Sequence, residues 1–104
     1  MTERIKTFKK EISSANILSV EVGTNTPMGG DAGHGGITVF RLKDLGATAW
    51  KCVVTRGLEQ TEIEQPDLVT LVFYGDTEAD TFMQALEYAL HIYEVQRSTK
   101  EAEQ

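Results

Sequence analysis

Residues 29–36 read Gly-Gly-Asp-Ala-Gly-His-Gly-Gly, so one carboxylate and one imidazole, Asp31 and His34, stand in a run otherwise made of glycine and alanine. Three chemistries compete for this pair. In the structural one, a long excursion between paired strands needs several residues at positive φ, which glycine adopts without strain. Asp31 then accepts bonds from the loop's own amides, and His34 is half-buried. In the binding one, Gly29, Gly30, Gly33 and Gly35 let backbone N–H groups converge on a ligand beside Thr24, Asp31 and His34. Its metal version takes an oxygen from Asp31, a nitrogen from His34 and a third donor from Glu21. In the catalytic one, His34 is a general base whose tautomer Asp31 fixes, with Thr24, Thr26 or Thr38 as nucleophile.

Familiar fingerprints do not back the pair. A phosphate-binding P-loop needs Gly-Lys-Ser/Thr and a following helix, whereas this run holds no lysine and leads into a strand pattern. Its Gly-x-x-Gly-x-Gly order reverses the dinucleotide spacing. An EF-hand pattern is absent, as is a Gly-x-Ser-x-Gly or Cys–His constellation. No cofactor is expected, a divalent metal on Asp31, His34 and Glu21 being the one exception. His91 lies near Glu87 and Glu94 on a polar helix face and reads as a solvated side chain. Cys52, with Trp50 and Val54 two residues to either side, reads as a small buried hydrophobe.

The stretch from Val20 to Thr38, VEVGTNTPMGGDAGHGGIT, resembles the signature of a group of small bacterial and phage-associated proteins. These carry a strand, Gly-Thr, Gly-Gly-Asp-x-Gly-His-Gly and a second, threonine-bearing strand. The resemblance covers about a fifth of the chain and brings no established activity. It implies that the loop is a shared feature, with Asp31 and His34 among the matching positions.

The elements that must hold this loop follow from periodicity. Ile5, Phe8 and Ile12 recur at helical spacing, which predicts a helix over residues 3–14. Leu18, Val20 and Val22 alternate with polar residues and predict a strand ending at Gly23. Residues 37–43 predict a second strand. Residues 49–55 predict a third, with Trp50, Cys52 and Val54 inward. The polar, acidic stretch 56–67 reads as a loop, and 68–74, the most apolar run, as a buried fourth strand. From Asp76 the period becomes helical. Asp76 or Thr77 caps the start, with Thr77 and Asp80 at capping-box spacing. Ala79, Phe82, Met83, Leu86, Leu90 and Tyr93 form a stripe reaching about Arg97, with residues 98–104 a frayed tail.

The order α-β-β-β-β-α predicts one α+β domain spanning residues 1–104. Its four strands form an antiparallel meander with both helices mainly on one face. The expected core is Leu18, Val20, Val22, Phe40, Leu42, Trp50, Cys52, Val54, Leu71, Phe73, Phe82, Leu86 and Leu90.

Composition bounds the partners. The net charge of −6 argues against nucleic acid, which needs a basic surface. The charge is uneven: residues 1–56 carry +3, residues 57–104 carry −9. No apolar run approaches the roughly 20 residues of a membrane span, the charged amino terminus lacks a signal-peptide centre, and one cysteine allows no internal disulfide. A cytoplasmic protein is expected. Tyr88, Ile92 and Val95 form a second apolar line on the last helix, which the amino-terminal helix or a partner chain must cover; a homodimer through this helix is the natural solution. The functional expectation is a non-enzymatic binding module whose loop 23–36 contacts a ligand, metal or partner. The alternative is a hydrolase-like enzyme using His34 and Asp31.

Overall fold

The computed structural model describes residues 5–30 and 33–102. Six strands and one helix follow in the order β1 (Thr7–Ser13), β2 (Ile17–Thr24), β3 (Ile37–Gly46), β4 (Lys51–Arg56), β5 (Glu59–Glu64), β6 (Leu68–Tyr74) and α1 (Asp76–Ala102). The fold is α+β, but the expected two-helix arrangement is wrong. Residues 7–13 form an edge strand. Phe8, Lys10 and Ile12 stand opposite Val22, Val20 and Leu18, so the amino-terminal apolar residues join the apolar face of β2. Phe8 and Ile12 fit helical and alternating spacing equally well, and pairing along β2 overrides the local preference.

The main sheet is antiparallel in the order β1-β2-β3-β6. Registers Val20↔Leu42, Val22↔Phe40, Phe40↔Leu71 and Leu42↔Val69 place one apolar set on a single face. The opposite face carries Lys9, Ser19, Glu21, Arg41 and Lys43, which share a surface groove.

β4 and β5 form a separate two-stranded sheet, a projecting arm inserted between β3 and β6. This corrects two expectations. The 49–55 strand is not in the main sheet, and the 56–67 loop contains β5. Gly57, at φ 63°, lies in the tight turn that joins the two strands. At the arm's root Trp50 and Gln65 bond each other: the Gln65 amide donates to the Trp50 carbonyl at 3.0 Å and the Trp50 amide to Gln65 Oε1 at 3.1 Å. Trp50 Nε1 also donates to the Pro66 carbonyl at 2.8 Å. Trp50 and Cys52 are half-buried and Val54 is exposed, so none of the three serves as core.

Helix α1 runs to Ala102, several residues past the expected end near Arg97. Phe82 stacks on Phe73 at 4.4 Å between ring centroids and meets Phe40 edge-on at 5.3 Å. Beyond this contact the helix emerges into solvent, and Leu86 and Leu90, expected in the core, are exposed. Leu71 is exposed too, while Leu18, Val20, Val22, Phe40, Leu42, Phe73 and Phe82 are half-buried. Among the described residues, Ala79 is the only buried residue of the hydrophobic core.

The chain therefore keeps an open form. Its accessible surface is 8145 Å², about 2,300 Å² more than a compact monomer of this mass presents. Its radius of gyration is 16.4 Å, against about 13 Å for a compact chain of this length.

Candidate functional site

The Gly-rich loop leaves β2 at Thr24 and enters β3 at Ile37. β6 ends beside it and turns at Gly75 into α1, so loop and helix start share one end of the sheet. Asn25 clips the loop's two ends together. Its side-chain Oδ1 accepts from the Ile37 amide at 2.7 Å, and its own amide donates to the Ile37 carbonyl at 3.2 Å.

The loop is held by Asp76, a residue expected only to cap α1. Asp76, the first residue of α1, turns its carboxylate into the loop. Oδ2 accepts from the amides of Met28 at 2.8 Å, Gly29 at 2.7 Å and Gly30 at 3.4 Å, and Oδ1 accepts from Gly36 at 3.0 Å. The contact is returned by the backbone: the Asp76 amide donates to the Gly30 carbonyl at 2.7 Å, and the Gly75 amide to the Gly36 carbonyl at 2.7 Å. The Gly33 amide donates to the Tyr74 carbonyl at 3.0 Å.

The glycines thus build the concave set of amides expected of an anion nest, and the anion at Gly29 and Gly30 is the chain's own carboxylate. The Gly29 amide, supported by those of Gly36, Met28 and Gly30, holds the Asp76 carboxyl below its ordinary value of 3.8, against the opposing effect of partial burial. A helix N-terminus favours the same charged form. The signal was present in the sequence, because Asp76 opens the helix directly after a Gly. A cap and a loop anchor look alike until the loop is seen to fold back.

A cleft of about 340 Å³ opens between this pinned loop and the first turns of α1. Thr24, Thr26 and Pro27 line one side, Asp80 and Met83 the other, with Val22 below. Its hydroxyls bond among themselves: Thr24 and Thr38 Oγ1 lie 2.7 Å apart, and Thr24 Oγ1 donates to Thr26 Oγ1 at 3.1 Å. Thr38 is 1% exposed. The buried Thr38 hydroxyl, paired with that of the exposed Thr24, holds the loop's stem on β3.

The predicted site residues are brought together only in part. Asp31 lies outside the described residues. His34 is exposed, and no hydrogen bond among the described residues joins it to Thr24, Thr26 or Thr38. Glu21, the third metal candidate, faces Thr7 and Arg41 across the polar face of the sheet. Thr7 Oγ1 donates to its Oε2 at 2.6 Å, and Arg41 lies at 3.6 Å. The Thr7 bond, with Arg41 and Lys9 nearby, lowers the Glu21 pKa although partial burial opposes it. No group of three or more metal-ligating side chains forms among the described residues. No helix is long and apolar enough to cross a membrane among them. Comparison of the chain with models of protein families, with curated proteins and with solved structures found no match to any of them.

Proposed function

We propose that the protein is a small, non-enzymatic interaction module of the cell interior that works as an assembly of identical chains, with the Gly-rich loop as a rigid contact element. The observation that carries this reading is the unfilled apolar surface. A chain with one buried core hydrophobic among its described residues and about 2,300 Å² of surplus surface has the profile of one partner in an obligate interface. Tyr88 and Val95 are exposed and Ile92 half-buried on the distal helix, where a second copy can cover them. The loop suits a contact role because Asp76 holds its backbone at Met28, Gly29, Gly30 and Gly36, so a partner meets a surface there whose ordering entropy is already lost. Light scattering on the full chain at micromolar concentration tests the reading. A mass of two or more chains is expected, and a clean 11.5 kDa monomer overturns it.

A further inference from the structure

The apolar face of the main sheet is only half covered. Helix α1 meets it through Phe82 on Phe40 of β3 and Phe73 of β6, then leaves. Among the described residues the first turns of α1 reach the β1–β2 half only at the Val22 end of β2, and no element packs across β1. There Phe8, Ile12, Val20 and Val22 border a shallow cleft of about 270 Å³, with Phe8 67% and Ile12 49% exposed. This is the area that an amino-terminal helix would have occupied, and those residues form β1 instead.

The same chain carries the matching shape. Leu86, Leu90 and Tyr93 continue the stripe that begins at Ala79 and Phe82, and all three are exposed. A helix laid on a sheet through such a stripe is the ordinary way an α+β layer closes. Charge agrees with this placement. Lys10 stands between Phe8 and Ile12 on the open half of the sheet, and Lys6 Nζ lies 5.3 Å from the centre of the Phe8 ring. On the helix, Glu87 and Glu94 flank the stripe and are exposed. The open half of the sheet thus carries basic side chains beside its apolar residues, and the helix stripe acidic ones.

We propose that the distal half of α1 from one copy of this chain docks on the β1–β2 half of the sheet of another copy. Leu86, Leu90 and Tyr93 sit against Phe8 and Ile12, and Glu87 and Glu94 meet Lys10 and Lys6. The inference rests on the self-assembly reading above and names its surfaces. The surplus of about 2,300 Å² per chain suffices for the helix and the receiving sheet together.

The test measures the mass and dissociation constant of the full chain by light scattering and sedimentation. Phe8→Glu on the sheet and Leu90→Glu on the helix are each expected to weaken assembly at least about 30-fold, as loss of an interface anchor does. Because Phe8→Glu can also unfold β1, the surface variant Lys10→Glu provides a second route. It is expected to weaken assembly by up to about 5-fold, and adding Glu87→Lys or Glu94→Lys is expected to restore it. Failure of both second changes to restore it overturns the docking. If Phe8→Glu and Lys10→Glu leave the mass unchanged while Tyr88→Glu yields monomers, assembly runs through the helix alone; the docking is then overturned and the self-assembly reading stands. A monomeric wild-type chain overturns both.

Discussion

Replacing Gly35 by Ala, with Gly33 to Ala as its control, isolates what the loop's packing contributes. Both glycines sit at positive φ, +94° and +99°, so each alanine carries a backbone penalty of about 1–3 kcal/mol, partly offset by about 0.4–1 kcal/mol from the stiffer unfolded chain. There the likeness ends. A Cβ at Gly33 meets nothing within 4 Å, whereas one at Gly35 falls 2.7 Å from the Gly30 carbonyl oxygen and 2.8 Å from its carbon and Cα. These are backbone atoms, so no rotamer relieves the overlap. Gly30 cannot retreat cheaply either, because its carbonyl accepts from the Asp76 amide and its own amide donates to the Asp76 carboxylate. Overpacking of this kind costs about 1–3 kcal/mol, and disturbing one of those bonds costs about 1 kcal/mol more. Gly35→Ala should therefore be less stable than Gly33→Ala by about 2–4 kcal/mol. Thermal melts followed by circular dichroism, at one fixed protein concentration because assembly shifts the midpoint, should show a gap of at least about 8 °C. Midpoints within about 2 °C of each other would refute the claim that the loop is closed by contact between Gly30 and Gly35.

Asp76→Asn should lower the melting temperature more than Asp80→Asn, since only Asp76 gathers loop amides; equal losses would contradict the pinning. The same carboxylate sets an acid dependence. Its folded pKa lies below 3.8, so the unfolded chain binds more protons just below that value. Its stabilising contribution is full above about pH 5 and is lost as pH falls through the folded pKa. Glu21 adds a change of the same sign; the acid-limb slope in urea melts should be shallower in Asp76→Asn, and an unchanged slope would deny Asp76 this role. Gly23→Ala places a Cβ 2.6 Å from the Lys6 carbonyl oxygen and 3.0 Å from Thr7 Cα. It should destabilise by about 1–3 kcal/mol and strip hydrogen-exchange protection from β1 amides first.

The parts of the fold that were legible in the sequence are those where one period excludes the other. Leu18, Val20 and Val22 alternate too strictly for a helix, and the run from Ala79 to Tyr93 repeats too regularly at three and four residues for a strand. Residues 5–12 carry too few apolar positions to separate the periods, and only the pairing of Phe8 with Val22 and Ile12 with Leu18 decides them. β5 was hidden for a different reason. Glu59–Glu64 has one apolar residue, Ile63, because the arm's strands bury little on either face, and a strand with nothing to bury leaves no alternation to read. The candidate site was legible as a place, and its link to α1 was not. The glycine density points to a fixed loop that needs a carboxylate, and the carboxylate that meets the amides of Met28, Gly29, Gly30 and Gly36 comes from far along the chain. Asp76 is 40 residues or more from every loop amide it holds.

That separation changes what the glycines are for. A loop that only had to be flexible would tolerate side chains, yet here added Cβ atoms collide with backbone or with Asp76 itself at several positions. Gly30, Gly35 and Gly36 lack side chains where a Cβ would collide, and four amides, those of Met28, Gly29, Gly30 and Gly36, gather around one carboxylate. That carboxylate belongs to the first residue of α1, so the bonds that shape the loop also fix where α1 begins. The Phe82 contact, less than two turns along, then sets its course. Small errors at the pinned end are magnified along a 27-residue helix, about 40 Å in length, whose distal half carries the apolar surface left open by the chain. On this geometry the Gly-rich loop has a second effect on assembly besides any contact of its own: it holds the root of the helix that docks.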